Sequence, residues 1–240
     1  SSVVAAMLAA LFFVVKGWKS EQYLFWVFPC LAVGFLFKSV IVLLIIPVIL
    51  FYSLVYREWS YVKNKYLWRG FILSLAIVIP WHLMEWIQHG TLFWDRYLGY
   101  NVFQRTTSTL TGINNRWDYF SMLVPWYVPW NLVLVIIIGY LADIHLFPRQ
   151  LTSKTLLWNV AAPLIAAFFF VIVFTLARTH LGAYIMPAFP FFAMGIAIAW
   201  HYLSLIFPGA KNVLVFFAPP LFILGAVFCF SLLPIKVPSY

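Results

Sequence analysis

Residues 154–236 contain only four charged side chains, Lys154, Arg178, Lys211 and Lys236, and the stretches between them are long, aliphatic and aromatic. This limits the fold more than any other property of the chain. A helix that crosses a bilayer needs about 20 mostly apolar residues, whereas a helix in water must keep one polar face. The chain as a whole is 65% hydrophobic and 9% charged, against roughly 45–50% and about 25% in a soluble domain. One core cannot hide that much apolar surface, so the surrounding medium is expected to be lipid. In lipid the backbone must satisfy its own N–H and C=O groups, which makes helix the expected state throughout.

The apolar runs predict an all-α, polytopic transmembrane bundle of about eight spans, near 1–15, 22–37, 39–55, 68–85, 117–141, 156–176, 183–206 and 213–233. They form a single transmembrane domain over 1–240. Only Lys38 and Ser39 separate the second span from the third, so these two form either a tight helical hairpin or one broken pair. The prolines within or beside spans are tolerable where partner helices take up the freed carbonyls. No charged leader or cleavage site precedes the first apolar run, and the chain is expected to start inside a helix.

Assigning each Lys and Arg to a side orients the bundle, since cytoplasmic loops carry the excess. One side collects Lys16, Lys19, Arg57, Lys63, Lys65, Arg69, Arg149, Lys154 and Lys211, and the other collects Lys38, Arg96, Arg105, Arg116, Arg178 and Lys236. The first set is the larger and is read as cytoplasmic. Lys38, the 86–116 loop and the turn from Arg178 to Tyr184 then share the outer face. Cations placed against the charge bias have two readings: they snorkel to lipid phosphate, or they hold an anionic ligand where water is scarce. Convergence of three on one face favours the ligand. The positive charge is scattered singly between apolar runs, which argues against nucleic acid as a partner.

The outer juxtamembrane loop at 86–116 is too aromatic for a free linker. Phe93, Trp94, Tyr97, Leu98, Tyr100 and Phe103 recur at spacings that a helix gathers onto one side, with Asp95, Arg96, Asn101, Gln104 and Arg105 on the other. This predicts an interfacial amphipathic helix, either a surface anchor or one wall of a binding cleft.

The segments GFLFKS at 34–39, IPWHLMEWIQHGTLFWDRYLGYNVFQRTTSTLTG at 79–112, PW at 129–130 and ARTHLGAYIMPAFP at 177–190 together resemble membrane glycosyltransferases of the C-type fold. Within that group the chain is similar to the branch of protein O-mannosyltransferases and the lipid A aminoarabinose transferase, over about residues 3–200. The resemblance implies an enzyme that moves a sugar from a polyprenyl-phosphate carrier to a lipid, glycan or protein acceptor. It works in a bacterial inner (plasma) membrane with the site facing outward, and needs no cofactor. By the same resemblance Lys38, Arg105 and Arg178 would bind the donor phosphate, and Asn101, His180 and Tyr184 would line the donor pocket. Phe37 and Ser39 replace the usual neighbours of that lysine, and Asn101 stands where relatives often have His. His180, Leu181 and Gly182 replace the usual Lys-Leu-Pro.

The catalytic acid of such enzymes lies in an early outer loop that has no counterpart here. The six acids are Glu21, Glu58, Glu85, Asp95, Asp118 and Asp143, and those on the outer side read as solvated helix-end charges. The chain is therefore expected to be the C-terminal portion of a larger domain and inactive alone. The spacings of His82, His89, His145 and His201 build no metal helix, and Cys30 and Cys229 read as small hydrophobes. A polyprenyl-lipid flippase or transporter and a non-catalytic membrane scaffold remain the alternatives. The first should show internal repeats, and no self-similarity is evident.

Overall fold

In a computed structural model the described residues are 2–108, 119, 154–178 and 182–206, and their regular structure is entirely helical. Contacts group the chain into two compact units, one of residues 1–112 with 176–179 and one of 113–175 with 180–240.

The first unit opens with α1 (Ser2–Gly17), followed by a 3₁₀ turn (Glu21–Trp26) that feeds α2 (Val27–Lys38). A second 3₁₀ segment (Ser39–Leu44) leads into α3 (Ile45–Tyr56), and α4 (Lys65–His89) completes the bundle. Burial of Val3, Ala6, Met7, Ala10, Leu11 and Val14 follows the 3–4 residue repeat of one helix face, which α1 lays against α2. Small residues at Ala6 and Ala10 let the neighbouring backbone approach closely, the usual means of packing helices where lipid supplies no hydrophobic drive.

Gly34 decides between the two sequence expectations for residues 22–55. A Cβ there would lie 2.6 Å from Val42 Cγ2 and 2.8 Å from the Ala6 methyl. Residues 34 and 42 are thus close, so the chain doubles back near Lys38 and Ser39 rather than running on as a broken pair, and α3 returns along α1. Only glycine leaves room for α1, α2 and the returning segment to meet there.

The directions of the helices give this unit two ends. At one end α1 finishes, α3 finishes and α4 begins, with Trp18 against Tyr56 at 5.7 Å between ring centroids and Phe28 against Phe71 at 5.1 Å. At the other end α2 finishes at Lys38 and α4 finishes at His89. Asn64 caps α4 by accepting a 2.8 Å bond from the Tyr66 amide. Of its 25 residues α4 buries Leu67, Gly70 and Ser74 against the bundle, and it leaves Ile72, Ile79, Met84 and Ile87 exposed.

In the second unit α5 (Lys154–Leu176) and α6 (Ala188–Ile206) run antiparallel. Phe170 stacks on Phe191 at 5.6 Å, Phe168 meets Phe192 edge-on at 5.3 Å, and Gly195 opposes Leu164. The buried Ala162, Ala166 and Phe170 recur every four residues and form the ridge of α5 that α6 covers.

Lys65–His89 and Trp158–Leu176 are long and apolar enough to cross a bilayer by length and composition, while Ser2–Gly17, Glu21–Phe37, Val40–Tyr56 and Ala188–His201 are shorter apolar helices. Of the eight expected spans, 117–141 and 213–233 lie outside the described residues apart from Tyr119.

Candidate functional site: the end of the first unit at Lys38

Beyond α4 the chain turns at Gly90 into a helical arm of residues 91–107. Gly90 has φ 56 and ψ −139, a conformation open essentially to glycine alone, and its amide closes α4 with a 2.8 Å bond to the Trp86 carbonyl. The arm starts with one α turn (Thr91–Trp94), runs as a π-helix over Asp95–Gln104, and returns to α over Arg105–Thr107.

The π-winding corrects the expected amphipathic face. In i→i+5 bonding each turn takes up more residues than an α turn, so an apolar stripe written for the α period drifts around the axis. Phe93, Trp94 and Tyr97 do turn to α4, where they close around His82 and Trp81. Tyr100 and Phe103 end up 42% and 65% exposed instead of joining them. On the polar side Asp95, Arg96, Asn101 and Gln104 are all exposed, and the Asn101 side-chain amide donates 3.0 Å to the Arg96 carbonyl of its own helix, one π turn back.

His82 is the hub of this end. Its ring lies 5.4 Å from Phe35, 4.7 Å from Trp81, 6.0 Å from Phe93 and 5.2 Å from Tyr97. Its Nδ1 is 2.9 Å from the Val78 carbonyl and its Nε2 is 3.1 Å from the Tyr97 hydroxyl. A carbonyl can only accept, so Nδ1 carries the proton there. In the neutral ring Nε2 then accepts from Tyr97. Sequence reasoning weighed His82 as a metal ligand and set it aside; its role as the joint between α2, α4 and the arm was missed. The available signal was the aromatic density of residues 93–97, one turn of helix beyond Gly90.

The arm ends in a dense set of hydroxyl bonds. Thr106 Oγ1 donates to the Val102 carbonyl at 2.5 Å, Thr107 Oγ1 to Phe103 at 2.8 Å and Ser108 Oγ to Gln104 at 2.6 Å. These occupy carbonyls that a helix terminus would otherwise leave open. The Thr106 carbonyl accepts a 3.1 Å bond from the Arg178 amide, more than seventy positions later in the chain.

The predicted site residues fall as follows. Lys38 is the last residue of α2, one turn past Phe35. Arg105 opens the final turn of the arm, beside the residue that receives the Arg178 amide. The Arg178 side chain is exposed. The backbones of Arg105 and Arg178 are thus brought together, while Lys38 lies at the end of α2 against which the start of the arm packs through Phe35 and Tyr97. Arg105 also stands near a helix C-terminus, where the dipole favours cations. Asn101 is exposed on the arm. Tyr184 belongs to the second unit, is buried, and stacks on Phe174 at 5.5 Å. His180 lies outside the described residues. Of the carboxylates at this end, Glu85 lies 3.5 Å from His89 Nε2 one turn on, and Asp95 is exposed at the start of the π segment. Among the described residues no three His, Cys, Asp or Glu gather as a metal set.

Residues 1–84 match the family described as dolichyl-phosphate-mannose-protein mannosyltransferase. The chain matches none of the curated proteins. Its fold is similar to the crystal structure of ArnT from Cupriavidus metallidurans bound to undecaprenyl phosphate, with a TM-score of 0.64 and 20% sequence identity. That likeness covers 83% of this chain and 36% of ArnT, so the chain spans little more than a third of that relative. The family match over residues 1–84 and the likeness of fold agree with the resemblance read from the sequence motifs.

Proposed function

We propose that this chain is the membrane-embedded part of a glycosyltransferase that draws its sugar from a polyprenyl-phosphate carrier, at the end of the first unit where α2 finishes. The reading is carried by one observation: the Arg178 amide bonds to the Thr106 carbonyl, so a distant segment of the chain brings a second arginine beside Arg105. Support comes from the mannosyltransferase family match and from the fold of ArnT, whose crystal structure contains undecaprenyl phosphate.

The chemistry asks for this kind of arrangement. As the glycosidic bond to the phosphate breaks, negative charge grows on the leaving oxygen. Fixed cations at that point stabilise the transition state more than the bound substrate. Lys38, Arg105 and Arg178 would hold the phosphate, with arginine forks suited to two oxygens at once. Asn101, on the same arm as Arg105, would contribute to the donor pocket. Activating the acceptor requires a carboxylate. Our reading assigns none within this chain, so the chain alone is expected to be inactive in transfer. The acceptor, a lipid, glycan or protein, would be met on the outer face of the inner membrane.

The test uses the full-length protein and a polyprenyl-phosphate sugar. Lys38→Ala and Arg105→Ala should each lower sugar release by at least about tenfold, the scale of one fixed charge at a developing anion. Unchanged sugar release in both variants would reject the phosphate-binding roles of Lys38 and Arg105, and no sugar release from the wild-type protein would reject the transferase reading and favour a flippase.

A further inference from the structure

The end of the first unit opposite Lys38 gathers a second set of cations, which the transferase reading does not use. Lys16 and Lys19 stand at the close of α1, Arg57 follows α3, and Lys63, Lys65 and Arg69 lie on the loop and first turn that lead into α4. Trp18 packing on Tyr56 brings the two groups to the same end. All six side chains are exposed, while the carboxylates nearby in sequence are Glu21 and Glu58 alone. Among the described residues the ion pair formed is His89 with Glu85, at the other end, so none of the six is neutralised by a carboxylate.

This surface is built in advance. Arg57 takes the left-handed conformation (φ 58, ψ 30) and its amide, with that of Glu58, closes on the carbonyls of the last turn of α3. Ser53 Oγ donates to the Ile49 carbonyl at 2.8 Å and therefore accepts from the buried Tyr61 hydroxyl, also at 2.8 Å, which pins the loop to α3. Trp68 Nε1 donates to the Val62 carbonyl at 2.9 Å, and Lys16 Nζ rests 4.3 Å over the Tyr23 ring. Around the cations stand exposed Trp59, Val62 and Trp68, at 45%, 39% and 52%. Cations without a carboxylate partner, flanked by two exposed tryptophans at the end of an apolar bundle, complement a phosphate headgroup with acyl chains beneath it.

We propose that this end is a preformed docking surface for anionic phospholipid headgroups, with residues 57–69 as its principal wall and Lys16 and Lys19 opposite. Each cation near a lipid phosphate contributes on the order of fivefold in binding, so six on a fixed scaffold should select anionic lipid strongly over zwitterionic lipid.

The experiment is native mass spectrometry of the full-length protein in detergent, with dioleoyl phosphatidylglycerol or dioleoyl phosphatidylcholine added at equal mole fraction. Wild type should retain the glycerol lipid about tenfold more than the choline lipid, and Lys63→Gln/Lys65→Gln/Arg69→Gln should cut that preference at least fivefold. Lys16→Gln/Lys19→Gln, on a separate element, should cut it too, which covers the case in which the triple variant fails to fold. Brominated phosphatidylglycerol should quench emission in wild type more than in Trp59→Phe/Trp68→Phe. A preference unchanged in the charge variants that fold, or quenching independent of the two tryptophans, overturns the proposal.

Discussion

The imidazole Nε2 of His82 accepts a 3.1 Å hydrogen bond from the hydroxyl of Tyr97, fifteen residues on and across the turn at Gly90. Because the other ring nitrogen is committed to the Val78 carbonyl, the histidine is held in one tautomer and one rotamer. The arm is therefore fastened to α4 by a polar bond within an aromatic cluster. The backbone of residue 178 fastens it a second time at its far end.

Tyr97→Phe removes the polar bond and keeps the ring against Phe93 and His82. It should lower stability by about 1 kcal/mol, read as a modest drop in the detergent melting temperature. In the full-length protein, sugar release should fall more than the melt predicts, because the arm carries Arg105.

Gly90→Ala tests the turn itself. Nothing lies within 4 Å of the added methyl, so any effect comes from backbone strain at φ 56 and not from a clash. A cost of about 1–3 kcal/mol is expected, together with faster amide exchange in residues 91–97. An unchanged melt would mean that the turn relaxes freely.

At Arg178 the main chain and the side chain have separable duties. Arg178→Ala keeps the amide bond to Thr106 and should leave the melt near wild type while sugar release drops. Arg178→Pro deletes the donor as well, and should also free the arm to limited proteolysis.

Two tyrosines one turn and one loop apart should behave oppositely. The Tyr52 hydroxyl is buried with no hydrogen-bond partner, so Tyr52→Phe should be neutral or stabilising. Tyr61→Phe breaks the bond to Ser53 and should cost about 1 kcal/mol or somewhat more. Thermal melts of the pair give the comparison.

Orientation is testable by labelling in a background free of Cys30 and Cys229. Ser60→Cys, on the exposed basic loop, should react with an impermeant maleimide only after permeabilisation, and Gln88→Cys should react in intact cells. The reverse pattern would invert the bundle.

The apolar runs made the helical class and the helices at α4 and α5 readable, because length and hydrophobicity act along the chain. The hairpin at Lys38 was left open, since it depends on Val42 and Ala6 closing over Gly34, a contact among three segments that no single window of sequence contains. The arm was foreseen as a helix with the wrong winding: periodicity arguments assume the α repeat, and the π repeat moved Tyr100 and Phe103 away from the face assigned to them. Lys38, Arg105 and Arg178 were singled out by their placement against the charge bias, which can be counted. His82 was not, because a histidine in an aromatic run has no spacing signature until Tyr97 folds back onto it.

Between Asp95 and Gln104 the number of residues is itself a structural variable. Inserting or deleting a single position there would swing everything downstream through a fraction of a revolution, carrying Arg105 off its bearing even if no side chain were altered. On the proposed role of Arg105, length in this decapeptide is constrained as tightly as composition.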